Sequence, residues 1–214
     1  MTCAGARPLV VIDAGANGGD YTGMVFELAA AAGCVVEVHA FEPSMAARER
    51  LLERFQHEKR LVVIGKALGE RPSVATLYQG AEGSTQASLL VRPVLGAPTD
   101  GVPVEVTTLG RYLDENKILR VDLLKLDVEG YEMAALRGLG EALVPHRVAN
   151  VQFEYGGATL DAGVTLRQLY ALLQARGYRV AKLLPSGLMV RDYAPWMDHF
   201  NYANYVAVAR GESP

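Results

Sequence analysis

Residues 9–22 read LVVIDAGANGGDYT, and this stretch decides the fold. It begins with an apolar run typical of a strand buried on both faces, and it breaks at Asp13 into a glycine-rich turn. The residues that follow predict a helix that Asp20 caps and Gly33 ends. The apolar stripe expected to face a sheet consists of Met24, Val25, Leu28, Ala29 and Ala32. Strand, glycine turn and helix open a nucleotide-binding α/β fold, whose ligand binds outside the carboxyl ends of the strands.

The composition predicts one globular domain over residues 1–214, because 50% of the residues are hydrophobic and 21% are charged. The net charge is −3, and basic residues alternate with acids, as in residues 48–54, which argues against a nucleic-acid partner. Cys3 and Cys34 lack metal-ligand spacing and are too few for a disulfide framework, so we expect a reducing, cytoplasmic setting. No run approaches the ~20 apolar residues of a membrane span, so we expect no membrane partner. Composition does not indicate an oligomeric state.

The alternation of strands and helices continues along the chain and indicates a doubly wound α/β sheet. Further strands are predicted at residues 35–41, 61–64, 121–127, 148–153, 178–183, 188–190 and 205–209. Residues 69–108 interrupt the pattern with short strand-like pieces among glycine, proline and serine, and we predict a β-rich insertion there. Its loop at residues 80–85 is either a lid over the ligand or a plain surface loop.

Four predicted strands end in acids, namely Asp13, Glu42, Asp127 and Glu154. In an open α/β sheet these side chains converge on one rim, which core packing does not require. Glu42 follows the second strand, where an acid accepts hydrogen bonds from a ribose diol, although a solvent-facing acid is the simpler alternative.

The ligand is not expected to be a dinucleotide, because the Gly-x-Gly-x-x-Gly spacing is absent. Counted from Gly15, the second glycine position holds Asn17 and the third holds Asp20. Asp13 and Asp20 would also place negative charge beside a pyrophosphate. S-adenosylmethionine suits these carboxylates better, because it carries a ribose, an ammonium and a sulfonium.

Several motifs support a family resemblance. DAGANGG at residues 13–19 with FEP at 41–43 looks like the first two cofactor motifs of class I methyltransferases. LKLDVEGYE at 124–132, followed by LRG at 136–138, resembles the signature of FkbM-type methyltransferases. Residues 67–70, 88–90, 104–109 and 204–205 extend the agreement over nearly the whole chain. Gly110 and Arg111 depart from the Leu-Asp-Asp that the family commonly has after the threonine, so no role is carried over there.

The resemblance implies a Rossmann-like, doubly wound sheet of seven strands, mostly parallel with an antiparallel last strand, and the insertion between strands 3 and 4. It also implies O-methylation of a hydroxyl on a sugar, glycoside or polyketide-type natural product. The partner is then a small hydroxylated acceptor. Two alternatives remain open: an NAD-dependent oxidoreductase, and a non-catalytic cofactor-binding interaction protein.

The resemblance assigns the glycine turn to the methionine part of S-adenosylmethionine and the Glu-Pro pair to the ribose. It assigns Asp13 and Asp127 to the polar end of the cofactor. Position alone places Lys66 and Ala67 at the adenine edge, although a core-edge role for Ala67 is also open. The predicted cofactor-binding residues are Asp13, Gly15, Ala16, Asn17, Glu42, Pro43, Lys66, Ala67 and Asp127.

Methylation of an alcohol requires a base for its proton. The candidates are Glu129 and Glu154 on the acidic rim, followed by His199 in an aromatic loop at residues 192–202. That loop either closes a core edge or lines the acceptor pocket. Asp127, Glu129 and Glu154 are also an oxygen set that suits magnesium, but carboxylates that only orient the cofactor give the same pattern, so we predict no metal.

Overall fold

The computed structural model describes residues 7–79, 87–90 and 101–210. The strands are β1 (Leu9–Ala14), β2 (Val36–Phe41), β3 (Leu61–Ile64), β4 (Ala67–Leu68), β5 (Ser73–Gln79), β6 (Ala87–Ser88), β7 (Gly101–Thr107), β8 (Leu123–Leu126), β9 (Asn150–Tyr155), β10 (Tyr178–Leu184), β11 (Gly187–Val190) and β12 (Ala203–Ala209). The helices are α1 (Asp20–Ala31), α2 (Met45–Arg54), α3 (Leu109–Glu115), α4 (Glu132–Arg137), α5 (Gly157–Asp161) and α6 (Leu166–Ala175). Among the described residues, no helix is long and apolar enough to cross a membrane.

The main sheet has eight strands in the order β11-β10-β12-β9-β8-β1-β2-β3, and it is mixed. Strands β3, β2, β1, β8 and β9 pair in parallel, whereas β12 pairs antiparallel with both β9 and β10. The seven strands that the resemblance implies are therefore one too few, whereas the strand predicted from the sequence at residues 188–190 is present as β11. The eighth strand is β11, which forms a hairpin with β10 closed by the pairing of Leu184 with Gly187. A tight turn is enough to join the two strands of a hairpin, so a strand as short as β11 can pair with β10 and extend the edge of the sheet.

A second sheet of four strands, in the order β4-β7-β5-β6, lies between β3 and β8 in the chain. Most of its residues fall in the stretch 69–108 for which the sequence predicts β-rich structure. Residues 80–86 and 91–100 lie outside the described part, and they include the candidate lid at 80–85.

Helix α1 presents only part of the predicted apolar stripe to the sheet. Met24 and Leu28 are 44% and 61% exposed, whereas Val25, Phe26 and Ala29 pack against apolar side chains of β1 and β2. The Thr22 hydroxyl donates a hydrogen bond of 2.7 Å to Asp13, and this contact turns the Thr22 side of the helix towards the sheet.

The ends of α1 also differ in part from the prediction. Gly19, at φ +86°, is the N-terminal cap, while Asp20 is already helical and pairs with Arg54, so the predicted Asp20 cap is wrong. Gly33, at φ +65°, follows the last turn as predicted. Cys34 is buried and disulfide-bonded, which a reducing setting does not predict.

The largest core cluster lies on the other face of the main sheet. Leu124, Leu126 and Phe153 from β8 and β9 pack there with Leu136 of α4 and Leu169 of α6. Alternation along β9 leaves Gln152 and Glu154 on the opposite, half-buried face. Polar side chains therefore collect on the α1 side of the sheet.

Candidate functional site

The glycine turn is held tightly between β2 and β8. The backbone N–H groups of Gly15 and Ala16 both donate to the carbonyl oxygen of Phe41, at 3.0 and 3.1 Å. Gly15 has φ +78°, and a Cβ there would lie 1.8 Å from the carbonyl oxygen of Asp127. Only glycine combines this backbone conformation with so close an approach.

Glu42 fastens the same turn to the end of β2. Its side chain is buried, and Oε2 accepts a 2.8 Å hydrogen bond from the Asn17 backbone N–H while Oε1 accepts one of the same length from Ser44. Burial raises the pKa of Glu42, although these two N–H donors oppose the shift. Each carboxylate oxygen can accept a second hydrogen bond, so Glu42 keeps capacity for a ligand diol.

Lys125, which the sequence reasoning missed, lies at the centre of the site. Its Nζ is 3.2 Å from Asp13 Oδ1 and 3.4 Å from Asp127 Oδ2, and it donates to the Gly15 carbonyl oxygen at 3.2 Å. Burial alone lowers the pKa of Lys125, but the two carboxylates outweigh burial and the net pKa is raised. A lysine within the otherwise apolar strand LLKL was the available signal.

Asp13 is buried below the edge of the sheet at which the parallel strands end. Its side chain has no exposed surface, and its carboxylate accepts from Thr22 and faces Lys125. Asp127 differs, because 41% of its side chain is exposed. Of the two acids assigned to the polar end of the cofactor, Asp127 is therefore the one that a ligand can reach.

Asp127, Glu129 and Glu154 form an acid cluster, in which one oxygen of each residue lies within 4.8 Å of the others. Glu129 is held at φ +50° by the turn after β8. The buried carboxylate of Glu132 fixes that turn, since Oε1 accepts from the Val128 N–H at 3.0 Å and Oε2 from the Gly130 N–H at 3.1 Å. Burial raises the pKa of Glu132 to about 7.

Glu154 is the member of the cluster with the clearest capacity for proton transfer. Burial, and then the charges of Asp127, Glu129 and Glu132, raise its pKa to about 7, while Lys125 opposes the shift. A carboxylate with this pKa takes and releases protons near neutral pH, as a general base must.

The two residues predicted at the adenine edge, Lys66 and Ala67, both interact with the second sheet. Lys66 Nζ lies 2.8 Å from a carboxylate oxygen of Glu105, and both side chains are exposed. Ala67 is buried and pairs with Val106 of β7, so it belongs to the second sheet. Pro43 is half-buried between Glu42 and the Ser44 cap of α2.

His199 lies in the loop before β12, beside Tyr155. It is exposed, and its ring centre is 6.5 Å from that of Tyr155. Tyr155 faces the core side of β9, whereas Glu154 faces the α1 side. The Nδ1 atom of His199 accepts from the Asn201 N–H at 3.1 Å, which holds the ring within its own loop.

Tyr202 places an exposed aromatic ring at the carboxyl end of β9. A Cβ on Gly156, two residues after Glu154, would lie 2.7 Å from Tyr202 Cδ1, so the ring packs directly on that glycine. The side chain is 58% exposed. The sequence did not single out Tyr202 within its aromatic loop.

Comparisons with known proteins agree with this architecture. Methyltransferase FkbM from Methylobacillus flagellatus KT is similar over 95% of this chain, with 19% identity and a TM-score of 0.56, and this chain spans 45% of that one. SMU.1697c from Streptococcus mutans, solved in complex with S-adenosylhomocysteine, is similar over 95% of this chain and 89% of its own, with 9% identity and a TM-score of 0.52.

A third similar structure is the fibrillarin pre-rRNA processing protein of Methanococcus jannaschii. It matches 96% of this chain and 68% of its own at 13% identity, with a TM-score of 0.52. At such identities these likenesses show the fold alone, so the absence of a nucleic-acid partner stays a prediction. No curated protein matches the sequence.

The methyltransferase FkbM domain family matches residues 13–180, from the acid before the glycine turn to the middle of β10. This range contains the glycine turn, Glu42, Lys125 and the acid cluster. It confirms the resemblance read from the sequence motifs and indicates S-adenosylmethionine as the cofactor. The chain belongs to the FkbM methyltransferase domain family.

Proposed function

We propose that this chain is an O-methyltransferase that methylates a hydroxyl of a sugar, glycoside or polyketide-type natural product. The observation that carries the proposal is Glu154, a half-buried carboxylate in the acid cluster with its pKa raised to about 7. An alcohol needs such a base, since its proton must leave when the oxygen is methylated.

The residues present fit S-adenosylmethionine. Glu42 offers acceptor capacity to the ribose hydroxyls, the Gly15-Ala16-Asn17 turn offers bare backbone to the methionine part, and Asp127 offers a reachable carboxylate to the ammonium. When bound, S-adenosylmethionine supplies an electrophilic methyl group, whose C–S bond breaks as the acceptor oxygen bonds to the carbon, leaving S-adenosylhomocysteine.

The protein aligns the cofactor with the acceptor and takes up the proton of the acceptor hydroxyl. The glycine turn and the acid cluster lie at the carboxyl ends of adjacent strands, so cofactor and acceptor are held side by side, and such alignment accounts for much of the rate in displacement reactions. Glu154 takes the hydroxyl proton. Glu129 adds negative charge that keeps Glu154 basic, and His199 is the second candidate base.

Tyr202 forms a wall of the acceptor site in this proposal. Its ring lies at the end of the strand that carries Glu154, and aromatic rings pack well against the apolar faces of sugars and polyketides. The acceptor is then held between an aromatic face and the base.

Gly156→Ala tests this wall. Gly156 has φ 178°, an extended conformation that alanine adopts, but the new Cβ would meet the Tyr202 ring and displace it. We expect KM for the acceptor to rise about 2- to 10-fold with unchanged binding of S-adenosylhomocysteine. Tyr202→Ala should give the same rise, and Tyr202→Phe, which keeps the ring, should not. Unchanged KM in Gly156→Ala and Tyr202→Ala would remove Tyr202 from the acceptor site.

The experiment that tests the proposed function is transfer of a labelled methyl group from S-adenosylmethionine to a panel of acceptors. The panel contains sugars, glycosides and macrolides, with structured RNA as a separate arm. Label in a hydroxylated small molecule supports the proposal. Label in RNA alone, or in no acceptor when the cofactor binds, contradicts it.

A further inference from the structure

Lys125 is a charged group that contacts three different parts of the site. Its ammonium reaches the end of β1 through Asp13, the glycine turn through the Gly15 carbonyl, and the end of β8 through Asp127. It also lies 5.2 Å from the centre of the Tyr21 ring of α1, where a cation is attracted to the aromatic face. One side chain therefore joins both strands and the turn.

The two carboxylates that Lys125 contacts stand in different surroundings. Asp13 is wholly buried, and an uncompensated carboxylate there would be strongly unfavourable. Asp127 is partly exposed. Asp13, Lys125 and Asp127 together carry one net negative charge, and Asp127 is the carboxylate of the three groups that faces solvent.

We propose that Lys125 is a positioning residue that neutralises Asp13 and orients Asp127, so that one carboxylate faces the ammonium of the bound cofactor. This inference rests on the proposed cofactor site. It gives Asp13 an indirect role through Lys125 and makes Asp127 the group that touches the ligand. At the ribose end of the ligand, the charges of Lys125 and Asp13 shift the pKa of Glu42 in opposite directions, so removing both together leaves that end nearly unchanged.

The test combines four proteins with two probes. The proteins are the wild type, Asp13→Asn, Lys125→Met and the double variant, and the probes are S-adenosylhomocysteine and adenosine, which lacks the amino-acid end. Lys125→Met leaves Asp13 buried without a counter-ion, so its Tm should fall by roughly 10 °C. The double variant removes both charges and should recover most of that loss, which keeps a folded protein for the titrations.

In the double variant we expect S-adenosylhomocysteine to bind about 10- to 100-fold more weakly than in the wild type, because Asp127 has lost the group that orients it. Adenosine should bind within 2-fold of the wild type. Lys59→Met, an exposed lysine far from these contacts in the chain, is the control and should change neither quantity.

Wild-type affinity of the double variant for S-adenosylhomocysteine would overturn the inference and leave Lys125 a purely structural partner of Asp13. An equal loss for both probes would overturn it too, since the effect would not be confined to the amino-acid end. If the wild type binds neither probe, the proposed function fails instead.

Discussion

Gly15→Ala is expected to lower the free energy of unfolding by about 4 kcal/mol and to weaken S-adenosylhomocysteine binding at least ~100-fold. The backbone at Gly15 is left-handed, which disfavours any Cβ. In addition, the Cβ would overlap the carbonyl oxygen of Asp127, a backbone atom that cannot move without shifting β8. The turn would separate from β8, and the acid cluster would move with it.

Gly18→Ala is the matched control for stability. Gly18 lies in the same turn, yet a Cβ there meets nothing within 4 Å, and its backbone is not left-handed. Thermal unfolding followed by circular dichroism should show a loss of roughly 8–16 °C for Gly15→Ala and less than about 2 °C for Gly18→Ala. Similar Tm values for the two variants would show that the turn tolerates a side chain against β8.

Glu154→Gln is expected to lower kcat by about 10²- to 10⁴-fold while the affinity for S-adenosylhomocysteine changes less than ~2-fold. The base works in its deprotonated form and has a pKa of about 7. The wild-type rate should therefore rise with pH up to about 7 and then level off. Glutamine cannot accept the proton, so this rise should disappear in the variant.

Glu129→Gln tests whether Glu129 acts only through the effect of its charge on the base, Glu154. Removing the Glu129 charge should lower the pKa of Glu154, since that charge is one of the causes that raise it. We expect Glu129→Gln to remain active, with its pH–rate profile moved to lower pH. A Glu154→Gln enzyme that keeps its rate and pH dependence would contradict the assignment. Loss of activity with a chelator, restored by magnesium, would instead make the acid cluster a metal site.

The convergence of strand-end acids was predictable from the sequence because parallel strands share one rim. Asp127 and Glu154 meet in the acid cluster as that rule predicts, whereas the hydrogen bond from the Asn17 N–H to Glu42 was not predicted. The family resemblance rested on the same residues. These features depend on local order along the chain, which a sequence displays directly.

Other features depend on three-dimensional packing. Thr22 of α1 is buried and donates a hydrogen bond to Asp13, and no apolar period reveals a polar residue on the buried side of a helix. Lys125 was missed because it links Asp127 to residues far away in the chain, such as Gly15, which is 110 residues distant. Lys66 was placed by position alone, and the structure pairs it with Glu105 of the second sheet.

The central claim is that this site binds the methyl donor through Glu42 and the glycine turn. Calorimetric titration with S-adenosylhomocysteine tests it most directly, with the wild type and Glu42→Gln measured side by side and folding checked by circular dichroism. We expect saturable one-site binding by the wild type and an affinity about 10- to 100-fold lower for Glu42→Gln, which keeps the shape of the side chain but loses its charge. No binding by the wild type, or equal binding by both proteins, would contradict it.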